Sequence, residues 1–261
     1  ILNLSFFLDN APGDLTIPSA DFYNKLRAGS MSRTSQINPP EFEDIFRRII
    51  AQGYHEILYL AFSSGLSGTY HSSTVAAQNI MKENPNVRIL TIDTLAAALG
   101  EGLIVDKAVE VRDQGKTIDE VAQWVEENKL KTAHWFTVDD LNFLKRGGRI
   151  SASAAWFGTA LKIKPVLHVD NNGKLIPMEK KIGRKKSLAR IAEIVRETAV
   201  DIQDQTIYIA HGDCLDDVEE IKAMITAETG ADKFFVNDLG PVIGSHSGPG
   251  TLAVFFFAKG R

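Results

Sequence analysis

Hydrophobic positions change period several times along this chain, and each change predicts an element. Residues 1 to 8, Glu56 to Ala61, Val87 to Ile92, Ala133 to Thr137, Thr206 to Gly212, Phe234 to Asn237 and Thr251 to Ala258 are short apolar or β-rich runs. Runs of that length bounded by turn residues predict strands. Between them the period lengthens. Phe42, Ile45, Phe46, Ile49 and Ile50 fall on one stripe, the spacing of a helix face packed on a sheet. Asn38 can cap that helix, with Pro39 at its first position, Glu41 placed to reach back, and Gly53 to end it. Thr117 and Glu120 make a second capping box ahead of Val121, Trp124 and Val125. Pro18 to Arg27, His71 to Lys82, Leu95 to Arg112, Ser151 to Leu161, Arg184 to Thr198 and Leu215 to Thr226 also read as helices.

Up to Thr137 the predicted strands and helices alternate, which predicts a largely parallel α/β sheet. The style then changes. Ile163 to Asp170 and Lys174 to Ile182 flank Asn172-Gly173, a strong hairpin signal. Further strands and helices follow, and Gly240 to Gly250 reads as a Gly-rich loop. These patterns predict an α/β protein of two domains. Residues 1–150 form a parallel-sheet α/β domain, and residues 151–261 an α+β domain.

The stretch Phe62-Ser63-Ser64-Gly65-Leu66-Ser67-Gly68-Thr69-Tyr70 joins a predicted strand to a predicted helix. Helix N-termini carry free N–H groups and the positive end of the dipole, and two glycines let backbone approach a ligand. Ser64, Ser67, Gly68 and Thr69 are therefore candidates for an anion site, with Thr34 as a further hydroxyl. The plainer reading is a helix cap in a tight turn. In parallel α/β sheets ligands sit beyond the strand C-termini, so Ser63 to Thr69 and Asp93-Thr94 should share one sheet edge. No lysine follows the turn, so the phosphate-cradling pattern G-x-x-x-x-G-K-[ST] fails. Ser67 as nucleophile with His246 as base describes a possible serine hydrolase, although Gly65-Leu66-Ser67-Gly68-Thr69 departs from G-x-S-x-G. A small phosphorylated metabolite at the same helix N-terminus is another reading.

His246 lies in Gly244-Ser245-His246-Ser247-Gly248-Pro249-Gly250, either as an exposed loop residue or as a donor to a carboxylate. Lys145, Arg146 and Arg149 form a basic loop patch, either solvated or paired with an acidic partner. Arg184-Lys185-Lys186 opposes a helix dipole. His55, His71, His134, His168 and His211 show no metal-ligand spacing, so no metal is expected. Trp124, Trp135 and Trp156 read as packing residues.

Composition narrows the field. With 261 residues the chain can bury one or two cores, and a net charge of −4 argues weakly against a nucleic-acid binder. Cys214 alone excludes an intrachain disulfide and fits a reducing, cytoplasmic setting. No apolar run reaches the length of a membrane span, so no stable membrane insertion is expected. The start at Ile1, inside an apolar run, suggests that a natural N-terminal segment precedes this numbering.

Five stretches in order carry a resemblance. They are Thr34-Ser35-Gln36, Leu66-Ser67-Gly68-Thr69-Tyr70, Leu144-Lys145-Arg146-Gly147-Gly148-Arg149-Ile150-Ser151, Ile163-Lys164-Pro165-Val166-Leu167 and the late Gly-Ser-His segment. Together they resemble the DegV family of bacterial fatty-acid-binding proteins. The family's opening strand and Asp-Ser/Thr turn would lie before Ile1. The resemblance implies a two-domain DegV-like fold that buries one long-chain fatty acid, with no other cofactor and no catalysis of its own. It implies that Thr34, Ser67 and His246 hold the carboxylate, with Ser64 less certain. It also implies a partner, the ATP-binding subunit of a fatty-acid kinase, docked by Arg146 or Arg149. The helices over Leu95 to Val111 and Ala154 to Leu161 are expected to line the acyl tunnel.

Overall fold

The computed structural model describes residues 2–151 and 162–261. In chain order its strands are β1 (Ser5–Leu8), β2 (Ala11–Pro12), β3 (Ser32–Ser35), β4 (Glu56–Ala61), β5 (Arg88–Asp93), β6 (Thr132–Thr137), β7 (Ile163–Val169), β8 (Leu175–Ile182), β9 (Ile207–His211), β10 (Phe234–Asp238) and β11 (Leu252–Phe257). Its described helices are α1 (Ser19–Arg27), α2 (Pro39–Ala51), α3 (Thr69–Glu83), α4 (Leu99–Asp113), α5 (Ile118–Asn128), α6 (Leu141–Arg146), α7 (Arg184–Thr198), α8 (Leu215–Thr229) and α9 (Pro241–Ser247). The helix expected over Ser151 to Leu161, Trp156 included, falls in 152–161, outside the described residues. No described helix is long and apolar enough to cross a membrane.

Local signals act as their chemistry dictates. Asn38 accepts from the Glu41 amide while Glu41 reaches back to the Asn38 amide, and Thr117 with Glu120 closes the same reciprocal box. Each satisfies two donors that a helix start leaves open. At the hairpin, Gly173 takes φ +69° and Asp170 accepts from the amides of Asn172 and Lys174, so the loop is wider than two residues.

The parallel sheet is the pair β4–β5, with Ala61 opposite Asp93. Both its faces are covered. Ile57 and Tyr59 pack with Phe42 and Phe46 of α2 and Ile80 of α3. Leu58 and Leu60 pack with Ile104 of α4 and Val121 and Val125 of α5. A separate three-stranded sheet, β2-β1-β3, sets Phe6 opposite Thr34.

The larger sheet is mixed, in the order β10-β9-β11-β6-β7-β8. On β11, Leu252, Val254 and Phe256 face α7 and α8, while Ala253 and Phe255 face the core shared with α1, α4 and α6. Burial on both faces explains why the strand reads as an unbroken apolar run. Tyr208 of β9 donates to Asp106 of α4 at 2.6 Å, tying that helix to the sheet.

Three local expectations change. Thr132–Thr137 is not a strand of the parallel sheet; it pairs antiparallel with β11 and β7. Its burial on both faces imitates a parallel strand, and chain order carries no record of β11 inserting beside it. Leu95 to Ala98 is not helical. The Asp93 carboxylate accepts from the Leu95 amide and Thr94 Oγ1 from the Ala96 amide, and Leu95 and Ala98 take φ of +53° and +52°. Helix α4 therefore starts at Leu99. Gly240 to Gly250 is not a loop throughout, since Pro241–Ser247 forms α9. Gly244 is required there by packing: a Cβ would stand 2.6 Å from the Tyr23 hydroxyl and 2.8 Å from the Phe22 ring. The basic start of α7 is neutralised, with Arg184 Nε donating to Asp217 at 2.9 Å and Lys185 facing Glu220 at 3.7 Å.

Phe256 is fully buried between β11 and the two covering helices. Phe256→Ala is expected to remove about 3–5 kcal/mol of stability, read as a lower urea midpoint with an unchanged slope. An unchanged midpoint would contradict this packing.

Candidate ligand-binding site

The candidate residues reach one place by separate routes. Pairing of β1 with β3 fixes Thr34, and α9 carries His246 to it; Thr34 Oγ1 and His246 Nε2 are 2.7 Å apart. Ser67 and Thr69 lie in the turn after β4, with their hydroxyls 2.9 Å apart and the Thr69 amide donating to Ser67 Oγ at 3.3 Å. Gly68 precedes helix α3 and lies against Gln36, whose Oε1 is 2.3 Å from where a Cβ would stand. Ser64 is exposed, and its amide donates to the Asp93 carboxylate at 3.1 Å. The Thr94 hydroxyl donates to Ala61 O at 2.7 Å, so the two strand ends share the expected sheet edge.

Arg149 links the two groups. Its Nε donates to Leu66 O at 3.1 Å, one residue before Ser67, and its Nη1 donates to Gly147 O at 2.5 Å. Gly147 itself must be glycine, because a Cβ would stand 2.3 Å from His246 Nδ1. Arg149 is half-buried, and burial pulls its guanidinium below the ordinary arginine range. Arg146, three residues earlier, is instead exposed; it stacks over the Phe143 ring at 4.7 Å and touches Met31 Sδ. The resemblance leaves Arg146 and Arg149 as alternatives for partner docking. Burial separates them and places the Arg149 guanidinium on the cavity that the hydroxyls line.

His246 is half-buried on the last turn of α9, not an exposed loop residue. Burial, and then the nearby charge of Arg149, push its pKa down to about 4. The ring is therefore neutral at physiological pH, and either ring nitrogen can carry its one proton. Ser67, the nucleophile of the serine-hydrolase reading, is bonded to Thr69, while the imidazole is joined to Thr34. That reading calls for Ser67 bonded to His246, a pair this geometry does not form.

Thr34, Ser64, Ser67, Gly68, Thr69, Arg149 and His246 all line one cavity of about 800 Å³. Its remaining wall is largely apolar and includes Leu4, Phe62, Phe136, Leu144, Ile243 and Phe255. Ala97 and Ala98, before α4, and Glu101 of that helix also line it. Ser247 and Glu101 are among the lining residues that the sequence does not single out. Ser247, beside His246, has a buried hydroxyl with no hydrogen-bond partner among the described residues. Glu101 stands in Ala96-Ala97-Ala98-Leu99-Gly100-Glu101-Gly102-Leu103-Ile104-Val105. That single charge within an otherwise apolar and small run was a readable signal. Among the described residues no group of His, Cys, Asp and Glu is arranged to hold a metal ion.

Hydroxyls, an imidazole and a guanidinium beside a largely apolar wall are chemically suited to a small amphipathic molecule with an anionic head. The sequence profile described as "Uncharacterised protein, DegV family" matches residues 9–259, and the chain belongs to the DegV family. A DegV domain-containing protein of Clostridium perfringens is 48% identical over 250 residues, covering 96% of this chain and 85% of that relative. A solved Thermus thermophilus DegV family protein, described for its fatty acid binding, is 31% identical with a TM-score of 0.87, covering 98% of this chain and 90% of that one. The Streptococcus pneumoniae fatty acid kinase B3 protein, solved loaded with linoleic acid, aligns with a TM-score of 0.85 at 20% identity, over 98% of this chain and 90% of that one. That last likeness is one of fold.

The depressed His246 pKa sets a sign for pH dependence. An unfolded histidine takes up a proton near its ordinary 6.5, and the folded one only near 4. His246 therefore contributes stability above pH 6.5 that is lost as pH falls towards 4. Wild-type stability in urea should fall more steeply over that window than that of His246→Gln. Equal slopes would contradict a desolvated neutral ring.

Proposed function

We propose that this protein binds one long-chain fatty acid and presents its carboxylate to a kinase partner. Thr34, Ser67, Thr69 and His246 would hold the head group, with Gly68 allowing close backbone approach and Ser64 at the rim. Arg149 would supply the compensating charge. The observation that carries the reading is the convergence of the Thr34–His246 and Ser67–Thr69 pairs on one largely apolar cavity that Arg149, held by the carbonyls of Leu66 and Gly147, also lines. The fatty acid binding described for the Thermus thermophilus relative supports it.

The energetics agree. An acyl chain of about 14 methylenes gains on the order of 10 kcal/mol from burial, before ordering costs. A carboxylate cannot follow it into the cavity bare. Donors that converge on it remove that obstacle. A small phosphorylated metabolite would leave the apolar wall unused.

On this reading the protein is a carrier and not an enzyme, working in the cytoplasm beside an ATP-binding subunit. Arg146 suits partner docking because it is exposed, while Arg149 is engaged at the cavity. On this reading both stretches of the sequence-predicted division contribute, although β6 of residues 1–150 lies within the six-stranded sheet formed with strands of 151–261. The hydroxyls and Arg149 come from the first part, and the imidazole from the second.

The test is titration of delipidated protein with palmitic and oleic acids. We expect one acid per chain, and affinity weakened about tenfold or more in Thr34→Val, Ser67→Ala and His246→Ala. Arg146→Ala should keep lipid affinity and reduce acyl-phosphate formation with a fatty-acid kinase subunit. No uptake of either acid by folded protein would overturn the reading.

A further inference from the structure

Among the described residues Glu101 is the one acidic side chain that lines the cavity. It sits in the first turn of α4, half-buried, and among the described residues its carboxyl has no hydrogen-bond or ion-pair partner. Its oxygens open into the cavity, so whatever fills the cavity must serve them or leave them unpaired. Tyr59 of β4 feels its charge: burial first, and then Glu101, push the phenol up. Tyr59 also lines the cavity, its ring edge-on to Phe42 at 5.2 Å. Its hydroxyl too has no hydrogen bond among the described residues.

A structural role does not account for this pair. His134, on the same wall, is satisfied at both nitrogens: Nδ1 lies 2.9 Å from Thr132 O, and the Ala97 amide donates to Nε2. Glu101 and Tyr59 lack such partners. Nor do they belong to the head-group site, whose hydroxyls, imidazole and guanidinium are bonded among themselves and to the turn after β4. Burial alone pushes the Glu101 carboxyl up to about 8, so at neutral pH it carries a proton and can both donate and accept.

We propose that Glu101 and Tyr59 form a second polar station in the cavity that receives a hydroxyl carried on the ligand's hydrocarbon chain, so that hydroxylated long-chain acids are preferred to plain ones. This rests on the fatty-acid reading above and specifies its ligand class. A plain methylene chain passing Glu101 strips water from the carboxyl and returns nothing. A chain hydroxyl restores a donor and an acceptor there. Sites built to hydrogen-bond a ligand hydroxyl discriminate against the analogue that lacks it, because their own polar groups are otherwise left unpaired.

The test uses delipidated full chain and calorimetry with stearic acid and a panel of monohydroxystearic acids whose hydroxyl is stepped along the chain. At least one isomer should bind about tenfold tighter than stearic acid. That margin should vanish in Glu101→Leu and persist in Glu101→Gln, which keeps the hydrogen-bonding groups. Glu101→Leu should also bind stearic acid at least as tightly as wild type, which separates loss of the station from loss of the fold. If stearic acid binds and no isomer binds tighter, or if the margin survives in Glu101→Leu, the station is refuted and the carrier reading stands. If no acid binds, both fall together.

Discussion

Thr34 and His246 are 212 residues apart in the chain and lie within 2.7 Å of each other in the fold. An anionic head can enter an apolar cavity only where donors already converge, and under the proposed function this contact would set where that happens. It requires β3 to pair with β1, α9 to pack beside them, and Gly147 to yield the space that the imidazole occupies. The six-stranded sheet and its covering helices hold α9 in place, and the β4–β5 edge delivers Ser67 and Thr69. Elements far apart in sequence are thus arranged around one small polar patch.

The electrostatics of that patch follow from burial. A histidine held neutral offers a hydrogen bond without a fixed charge, while Arg149, whose charge reaches the imidazole, lines the same cavity. Burial and the Arg149 charge both disfavour the cationic imidazole, while burial alone lowers Arg149. Under the proposed function a bound carboxylate would offset the cost of burying that guanidinium.

What could be read in the sequence was what depends on neighbouring residues. Both capping boxes, the Asn172-Gly173 turn and the stripe from Phe42 to Ile50 rest on interactions within a few positions, and all take their expected forms. The strand–turn–helix around Ser67 was legible for the same reason. Most failures came where distant packing decides. Thr132–Thr137 is buried on both faces by β11 and β7 partners that chain order does not reveal. Leu95 to Ala98 is a local exception: it is apolar enough for a helix, but the side chains of Asp93 and Thr94 two positions back hold the backbone in a turn. Gly244 reads as loop chemistry, yet it serves close packing on Phe22 and Tyr23. Arg146 and Arg149 are three positions apart with opposite surroundings, a distinction that only burial makes. Glu101 stood out in its apolar run, and its meaning came only with the cavity around it.

The most direct measurement is the carbon NMR signal of carboxyl-labelled palmitic acid bound to the delipidated protein, followed as pH is lowered from about 8 to about 5. Converging donors and Arg149 favour the ionised head, whereas burial without them would push its pKa well above the usual carboxylate value of about 4.3. The account predicts one bound resonance that stays at the ionised position across the range. A resonance that moves to the protonated position within it would show a head group buried without those donors, and would contradict the account.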